Sequence, residues 1–448
     1  EQDEPPPQAL FDVSIADPPP MSAQYYKLVE IYEEALPLTK LIHGPNDAKL
    51  SFLLNRMGSI YVKIDDRDNA IGSFLGALRV QKFIKGNADI IVAVTLQKLG
   101  QAYYKRDEFD KAEECFREEL QIRNSIAPTC QKDGGDGDTG NETTSVDAGS
   151  GSEAIANVLY SLGVALIKLQ EYQEAITHLT LALSAWRTYL GPRHENVAHT
   201  LTRLGQALDA LNQNEKSLSH YLAALKIFRC DPEQHTVSII HLLHSMGNLN
   251  DKMGAYDRAL RCYKEEVSTT RSKFGRHRGE ISDTLFSVAN IYAKKQNLNK
   301  SLANFGKCVR MTNLCFGNDD LRNANSHYNM AYIQDILGNY NEAKLCLVEA
   351  LRVYKLNLGD SHVSIANAYH NLGGILDKRE DFEEAMKCYG HALRIKLELE
   401  KPDELSTSKT YFNMGINCAN RQCYDDAVRH FKEALRIRRG QLGDDDIS

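Results

Sequence analysis

The chain has 448 residues, of which 42% are hydrophobic and 25% charged, and a formal net charge of −7. That balance belongs to a folded protein, and no run approaches 18 uninterrupted apolar residues, so a membrane-spanning helix is excluded. The ten cysteines form no CxxC pair, and most, such as Cys115, Cys262 and Cys388, fall inside apolar helical patterns; they read as reduced core residues of a cytoplasmic or nuclear chain, not as disulfides or zinc ligands.

Residues 1–20 hold six of the twelve prolines and five acids with no Lys or Arg, and read as a disordered acidic linker. Residues 21–43 are expected to be one helix: Tyr32, Ala35 and Gly44 repeat the spacing of Phe74, Ala77 and Gly86, so this helix reads as half a repeat capping a stack, with Pro37 expected to kink it.

From residue 44 onward the chain repeats itself. A small residue follows an apolar one at Gly58, Gly100, Gly163, Gly205, Gly247, Ala289, Ala331, Gly373 and Gly415, in steps of 42 residues except for one step of 63. Twelve positions after each of these anchors stands Ala or Ser, from Ala70 to Ala427, and sixteen after stands Phe, Tyr or Leu, from Phe74 to Phe431. Two small residues let two helices approach closely, and the bulky one fills the space beside the crossing. Each unit is therefore a helical hairpin whose remaining apolar face is covered only by the next hairpin, which makes the array a solenoid. The expected class is all-α, with repeats 1–2 over 44–129 and repeats 3–9 over 153–442.

Gly44, Gly86, Gly191, Gly275, Gly317 and Gly359 precede the anchors by 14 residues and suit left-handed helix caps, and Pro45, Pro192, Pro232 and Pro402 also fall at junctions. The extra 21 residues lie in a flexible Gly/Asp-rich insert over 130–152. There Asp136, Asp138 and Asp147 hold three positions of a calcium loop, but the required glycine is Asn141, so calcium is not expected. Gly443 falls where a further repeat should open, so residues 443–448 read as its start and the chain as part of a longer protein. The N-terminal segment, the insert and the tail together carry −12, which leaves the repeat region about +5. A mildly basic body favours an acidic protein or peptide partner and is too weakly charged to point to nucleic acid.

The spacing, the Leu-Gly/Ala/aromatic pattern and junctions such as LGPRHENVA (190–198) and LGDSHVSIA (358–366) resemble tetratricopeptide repeats, and the 42-residue period resembles the kinesin light chain subclass. The common unit has about 34 residues; eight more lengthen each helix by about one turn, roughly 6 Å. The resemblance implies a right-handed superhelix with a concave groove, lined by the first helix of each repeat, that holds peptide segments of cargo proteins. It also implies a cytoskeleton-associated location. Kinesin light chains join the motor heavy chain through heptad repeats; no heptad seam is found here, so kinesin heavy chain association is unsupported.

On the first helices, positions −6, −3, +1, +4 and +5 from the anchor should share one face. The candidate peptide-binding residues on it are Asn157, Tyr160, Lys168, His241, His244, Asn248, Lys252, Asn290, Lys294, Asn325, Tyr328, Asn367, His370 and Lys378. Asn329, Asn371 and Asn413, two before their anchors, match the asparagines that hold the cargo backbone in the resembled family. An amide pairs with a peptide unit through its own donor and acceptor, Tyr and His add flat area with a polar tip, and lysines would select acidic residues.

Catalytic signatures are weak. His194-Glu195 with His199 misses the i, i+4 spacing of a zinc site by one residue, His241 and His244 have no evident third ligand, and no phosphate-binding or nucleophile-elbow motif occurs. The expected function is a non-catalytic scaffold or adaptor without cofactor; the alternative is a regulatory or substrate-recruiting region of a larger enzyme.

Overall fold

A computed structural model describes residues 20–126, 147–275, 279–399 and 403–442. Among these residues all regular structure is helical, in nineteen helices without a strand. Two compact units divide the chain, the first ending at Asp231 and the second beginning at Pro232.

In the first unit α1 (Pro20–His43) is followed by the hairpins α2 (Ala48–Lys63) with α3 (Arg67–Lys85), α4 (Ile90–Lys105) with α5 (Phe109–Ile126), α6 (Asp147–Lys168) with α7 (Tyr172–Tyr189), and α8 (Glu195–Ala210) with α9 (Asn214–Phe228). The second unit has α10 (Thr236–Lys252) with α11 (Tyr256–Phe274), α12 (Gly279–Lys294) with α13 (Leu298–Phe316), α14 (Leu321–Ile336) with α15 (Tyr340–Leu358), α16 (Val363–Lys378) with α17 (Phe382–Glu398), and α18 (Glu404–Asn420) with α19 (Tyr424–Leu442). No helix among the described residues is long and apolar enough to cross a membrane. The acidic N-terminal segment, most of the insert and residues 443–448 lie outside the described residues, and α6 opens at Asp147, inside the span expected to be the insert.

The repeat step has a direct packing cause. A Cβ added at Gly58, Gly205 or Gly373 would come within 2.6, 2.4 and 2.6 Å of the rings of Phe74, Tyr221 and Tyr389, each standing sixteen residues on in the partner helix. Real Cβ atoms do not approach so closely, so the glycine and the ring determine one another. Where Ser replaces Ala twelve positions on, the buried Ser217 and Ser301 hydroxyls are satisfied by donating to the carbonyls of Gly205 (2.7 Å) and Ala289 (2.8 Å) across the hairpin.

The junction histidines have a local task. Eleven residues before its anchor, each of Asp47, Asp89 and Asp320 accepts a hydrogen bond from the backbone N–H two residues on (2.7, 2.8 and 2.9 Å). At the same place the Nδ1 atoms of His194 and His362 accept from Asn196 (3.2 Å) and Ser364 (3.1 Å). They are N-caps, a role that stabilises a helix by about 1 kcal/mol when a side-chain acceptor fills it.

The helix ends differ from expectation. Gly86 and Gly359 have φ of +81° and +75° with ψ of 177° and 172°, the extended mirror region open only to glycine, not the left-handed helical one. The left-handed cap sits inside each hairpin instead, seven residues after the anchor, and there it is mostly not glycine: Asp65, Asp107, Gln170, Asn212, Gln296, Glu380 and Gln422 share it with Gly254 and Gly338. The following N–H closes each turn on the carbonyl five residues back, as from Glu108 to Tyr103 (3.1 Å) and Asp381 to Leu376 (2.9 Å). α1 continues through Pro37, and its Tyr25, Tyr32 and Leu36 pack on the core of the first unit.

Candidate functional site

First helices of successive hairpins touch directly within each unit, as α4 does α6 and α16 does α18, so neighbouring first-helix faces share a surface. In the second unit Tyr332 and Asp335 of α14, His370, Asn371, Gly374 and Lys378 of α16, and Asn413 of α18 surround a cavity of about 290 Å³. Of the expected residues, His370, Asn371, Lys378 and Asn413 meet here. Tyr328 joins them through its hydroxyl, which accepts from Asn371 Nδ2 (2.8 Å). Asn325 is exposed one turn before Tyr328, its Oδ1 held by the Tyr354 hydroxyl (2.8 Å), while Asn329 turns its Nδ2 back to the Asn325 carbonyl (2.9 Å). Asn367 is half-buried and outside the cavity wall.

The groove lysines are not free charges as a set. Lys294 Nζ lies 2.7 Å from Asp251 and Lys378 Nζ 2.6 Å from Asp335, each partner being the acid at position +4 of the preceding repeat. Lys168 reaches over the ring of Phe109, 5.9 Å from its centroid. Charge selection by Lys294 and Lys378 is thus offset locally. The sequence held the signal, a recurring Asp at +4 with a Lys 43 residues later, but it becomes legible only when the offset between stacked helices is known.

His244 and His370 occupy the same position three repeats apart and are wired differently. His244 Nδ1 sits 3.2 Å from the buried Glu266 carboxylate, which also accepts from the Thr284 hydroxyl (2.6 Å). That hydrogen bond raises the His244 pKa above its ordinary value despite partial burial. His370 is pushed down to about 4 by burial, with Lys396 and Lys409 adding to the effect. Asn248 accepts from the Tyr263 hydroxyl (2.5 Å), His241 and Lys252 are exposed on the same helix, and Asn290 is half-buried on α12.

In the first unit Asn157 and Tyr160 come together with Trp186 and His199 around a cavity of about 100 Å³, and Tyr160 also borders a larger, mostly apolar one of about 230 Å³ with Gln101, Tyr104 and Val164. Among the described residues no group of three or more His, Cys, Asp or Glu is placed to hold a metal ion. Sequence reasoning passed over Asp335 and Gly374: the first is paired, the second has no side chain, and neither looks like a binding residue in isolation.

A family model for the tetratricopeptide repeat matches residues 50–125, 154–229, 280–356 and 324–398, more than half of the chain. Among solved structures, the apo form of RapI is similar over 87% of this chain and 98% of its own, at 11% identity and a TM-score of 0.54. BtubC (BKLC) from P. vanneervenii matches at 19% identity over 52% of this chain and 91% of its own, with a TM-score of 0.46. A putative kinesin light chain with nearly identical repeats from Podosopora anserina matches at 12% identity over 45% and 96%, with a TM-score of 0.40. At these identities the likeness concerns the fold. No curated protein matches the sequence significantly.

Proposed function

The chain belongs to the tetratricopeptide repeat family, and from that premise we propose that it is a non-catalytic adaptor whose first-helix faces hold peptide segments of partner proteins. The observation that carries this reading is the cavity around His370, Asn371 and Asn413, where amide and imidazole groups gather on an open surface between successive first helices. Such groups can pair with a peptide backbone whatever its side chains, while Tyr332 offers flat contact area. The kinesin light chain-like manner of holding cargo is part of the proposal, supported by the 42-residue step and the His-capped junction. Motor heavy chain association is not part of it.

Acidic ligands are favoured at the stage of encounter. A repeat region of about +5 steers an acidic segment at long range, although Lys294 and Lys378 are paired at contact. Two double substitutions separate the stages. Asn371→Ala with Asn413→Ala should weaken captured peptides by about tenfold or more with little change in association rate. Lys252→Glu with Lys294→Glu should slow association and flatten its salt dependence. Stopped-flow binding of peptides captured by the full chain measures both; ligands indifferent to all four changes do not use this surface.

A further inference from the structure

Lys396 is 2% exposed, an unusual place for an ammonium group. Its Nζ donates to the Thr410 hydroxyl (2.9 Å) and the Ser406 carbonyl (3.2 Å). Thr410 in turn directs its own proton to the Ser406 carbonyl (3.1 Å), so toward His370 Nδ1, 3.0 Å away, its oxygen has only a lone pair to offer. The other end of the ring agrees: Asn413 Nδ2, a donor, faces His370 Nε2 at 3.4 Å. Both contacts require the proton on Nδ1 and leave His370 with no N–H to offer at the cavity, its Nε2 lone pair being taken by Asn413. Burial lowers Lys396 only to about 8, which leaves it charged at neutral pH, and its charge and that of Lys409 disfavour protonation of His370. Around the ring, α17 supplies Tyr389 and Lys396, α18 supplies Thr410, Asn413 and Lys409, and on the cavity's α14 side the charge of Asp335 is matched by Lys378.

The cavity itself depends on a glycine that packing does not require. A Cβ at Gly373 would collide with the Tyr389 ring, but one at Gly374 would meet only the Tyr389 hydroxyl at 3.8 Å, an ordinary contact. Glycine inside a helix is destabilising relative to alanine. At Gly374 it leaves the wall between Tyr332, 59% exposed, and Asn413 without a side chain. Asn371 and Asn413 use their amide N–H groups on Tyr328, and on His370 and Tyr389, respectively.

We infer that this cavity is a side-chain subsite of the peptide groove, selecting a ligand side chain that donates a hydrogen bond and carries no negative charge, with the amide oxygens of Asn371 and Asn413, whose N–H groups are spent within the protein, as its acceptors. Lys396 and Thr410 are positioning residues that set the His370 tautomer. A carboxylate here would meet a lone pair instead of a proton, so the subsite opposes the general acidic preference of the repeat region. The inference rests on the groove reading above and is narrower than it.

Peptides selected from a phage-displayed random library against the full chain test it. Binders should share a Ser, Thr, Tyr, Asn, Gln, Trp, Lys or Arg at one position, and Gly374→Ala should weaken them by about tenfold while raising the melting temperature of the protein. Nitrogen-15 correlation spectra should show neutral, Nδ1-protonated His370 between about pH 5 and about pH 8. Binders that lose affinity with Asn371→Ala but not with Gly374→Ala, or that share an Asp or Glu at the subsite, overturn the subsite and leave the groove standing. An imidazolium or Nε2-protonated His370 also overturns it. If no binder responds to any groove substitution, the subsite and the groove fail together.

Discussion

Arg123→Met is expected to destabilise the first unit by about 3–5 kcal/mol at pH 8, because it strands a carboxylate that the fold has fully buried. Glu119 is 0% and Arg123 9% exposed, and Arg123 Nε donates to Glu119 Oε1 at 2.8 Å. The second oxygen, Oε2, has no partner. Desolvation therefore outweighs the ion pair, and burial pushes the Glu119 carboxyl up to about 7 even with Arg123 beside it. The direction of the pH dependence follows. With its folded pKa above the ordinary value of 4.5, Glu119 holds more proton in the folded than in the unfolded chain between those two values. Stability from this group is greatest at low pH and falls as pH rises toward about 7. Removing Arg123 raises the carboxyl further, so the variant should lose little at pH 5 and most at pH 8. Urea unfolding at both pH values, with hydrogen exchange in α5 to localise the effect, measures this. Glu119→Leu combined with Arg123→Met should recover most of the loss; a single variant as stable at pH 8 as the parent would show that the pair is not holding α5.

The second large effect comes from two neighbouring glycines. Gly373→Ala should cost about 1–3 kcal/mol although alanine is the better helix former, since its Cβ falls 2.6 Å from the buried Tyr389 ring. Gly374→Ala, the same change one residue on, should stabilise by about 0.5–1 kcal/mol, because its Cβ finds only ordinary contact. Opposite shifts in melting temperature are expected, about 2–4 °C for each kcal/mol in a unit of this size. Shifts of the same sign would contradict the close approach drawn for α16 and α17. The comparison also separates the two uses of glycine in this protein, one imposed by packing and one that leaves space for a ligand.

Much of the molecule is legible in its residues. The Gly58-to-Phe74 and Gly373-to-Tyr389 spacings are contacts within one hairpin, so sixteen residues of chain carry both partners and the pattern recurs whenever the hairpin does. Helical periodicity placed His370 and Lys378 on one first-helix face, while Asn371 beside them was named through the family resemblance. The left-handed turn residues were not: Gln170, Gln296 and Glu380 adopt that conformation because the hairpin closes around them, not because their own propensities favour it. The junction histidines were read as part of a family pattern before their capping bonds gave that pattern a cause.

The hairpin, the repeat step and the all-helical class were therefore determined by the sequence itself, through interactions between residues close along the chain. Only the tertiary structure decided which charges are spent internally. The pairs Lys294–Asp251 and Lys378–Asp335, the carboxylate Glu266 beneath His244, and the path from Lys396 through Thr410 to His370 all depend on how helices of a hairpin and of the next one are offset. A side chain's type states what it could donate or accept; its neighbours in the stack decide what remains for a ligand.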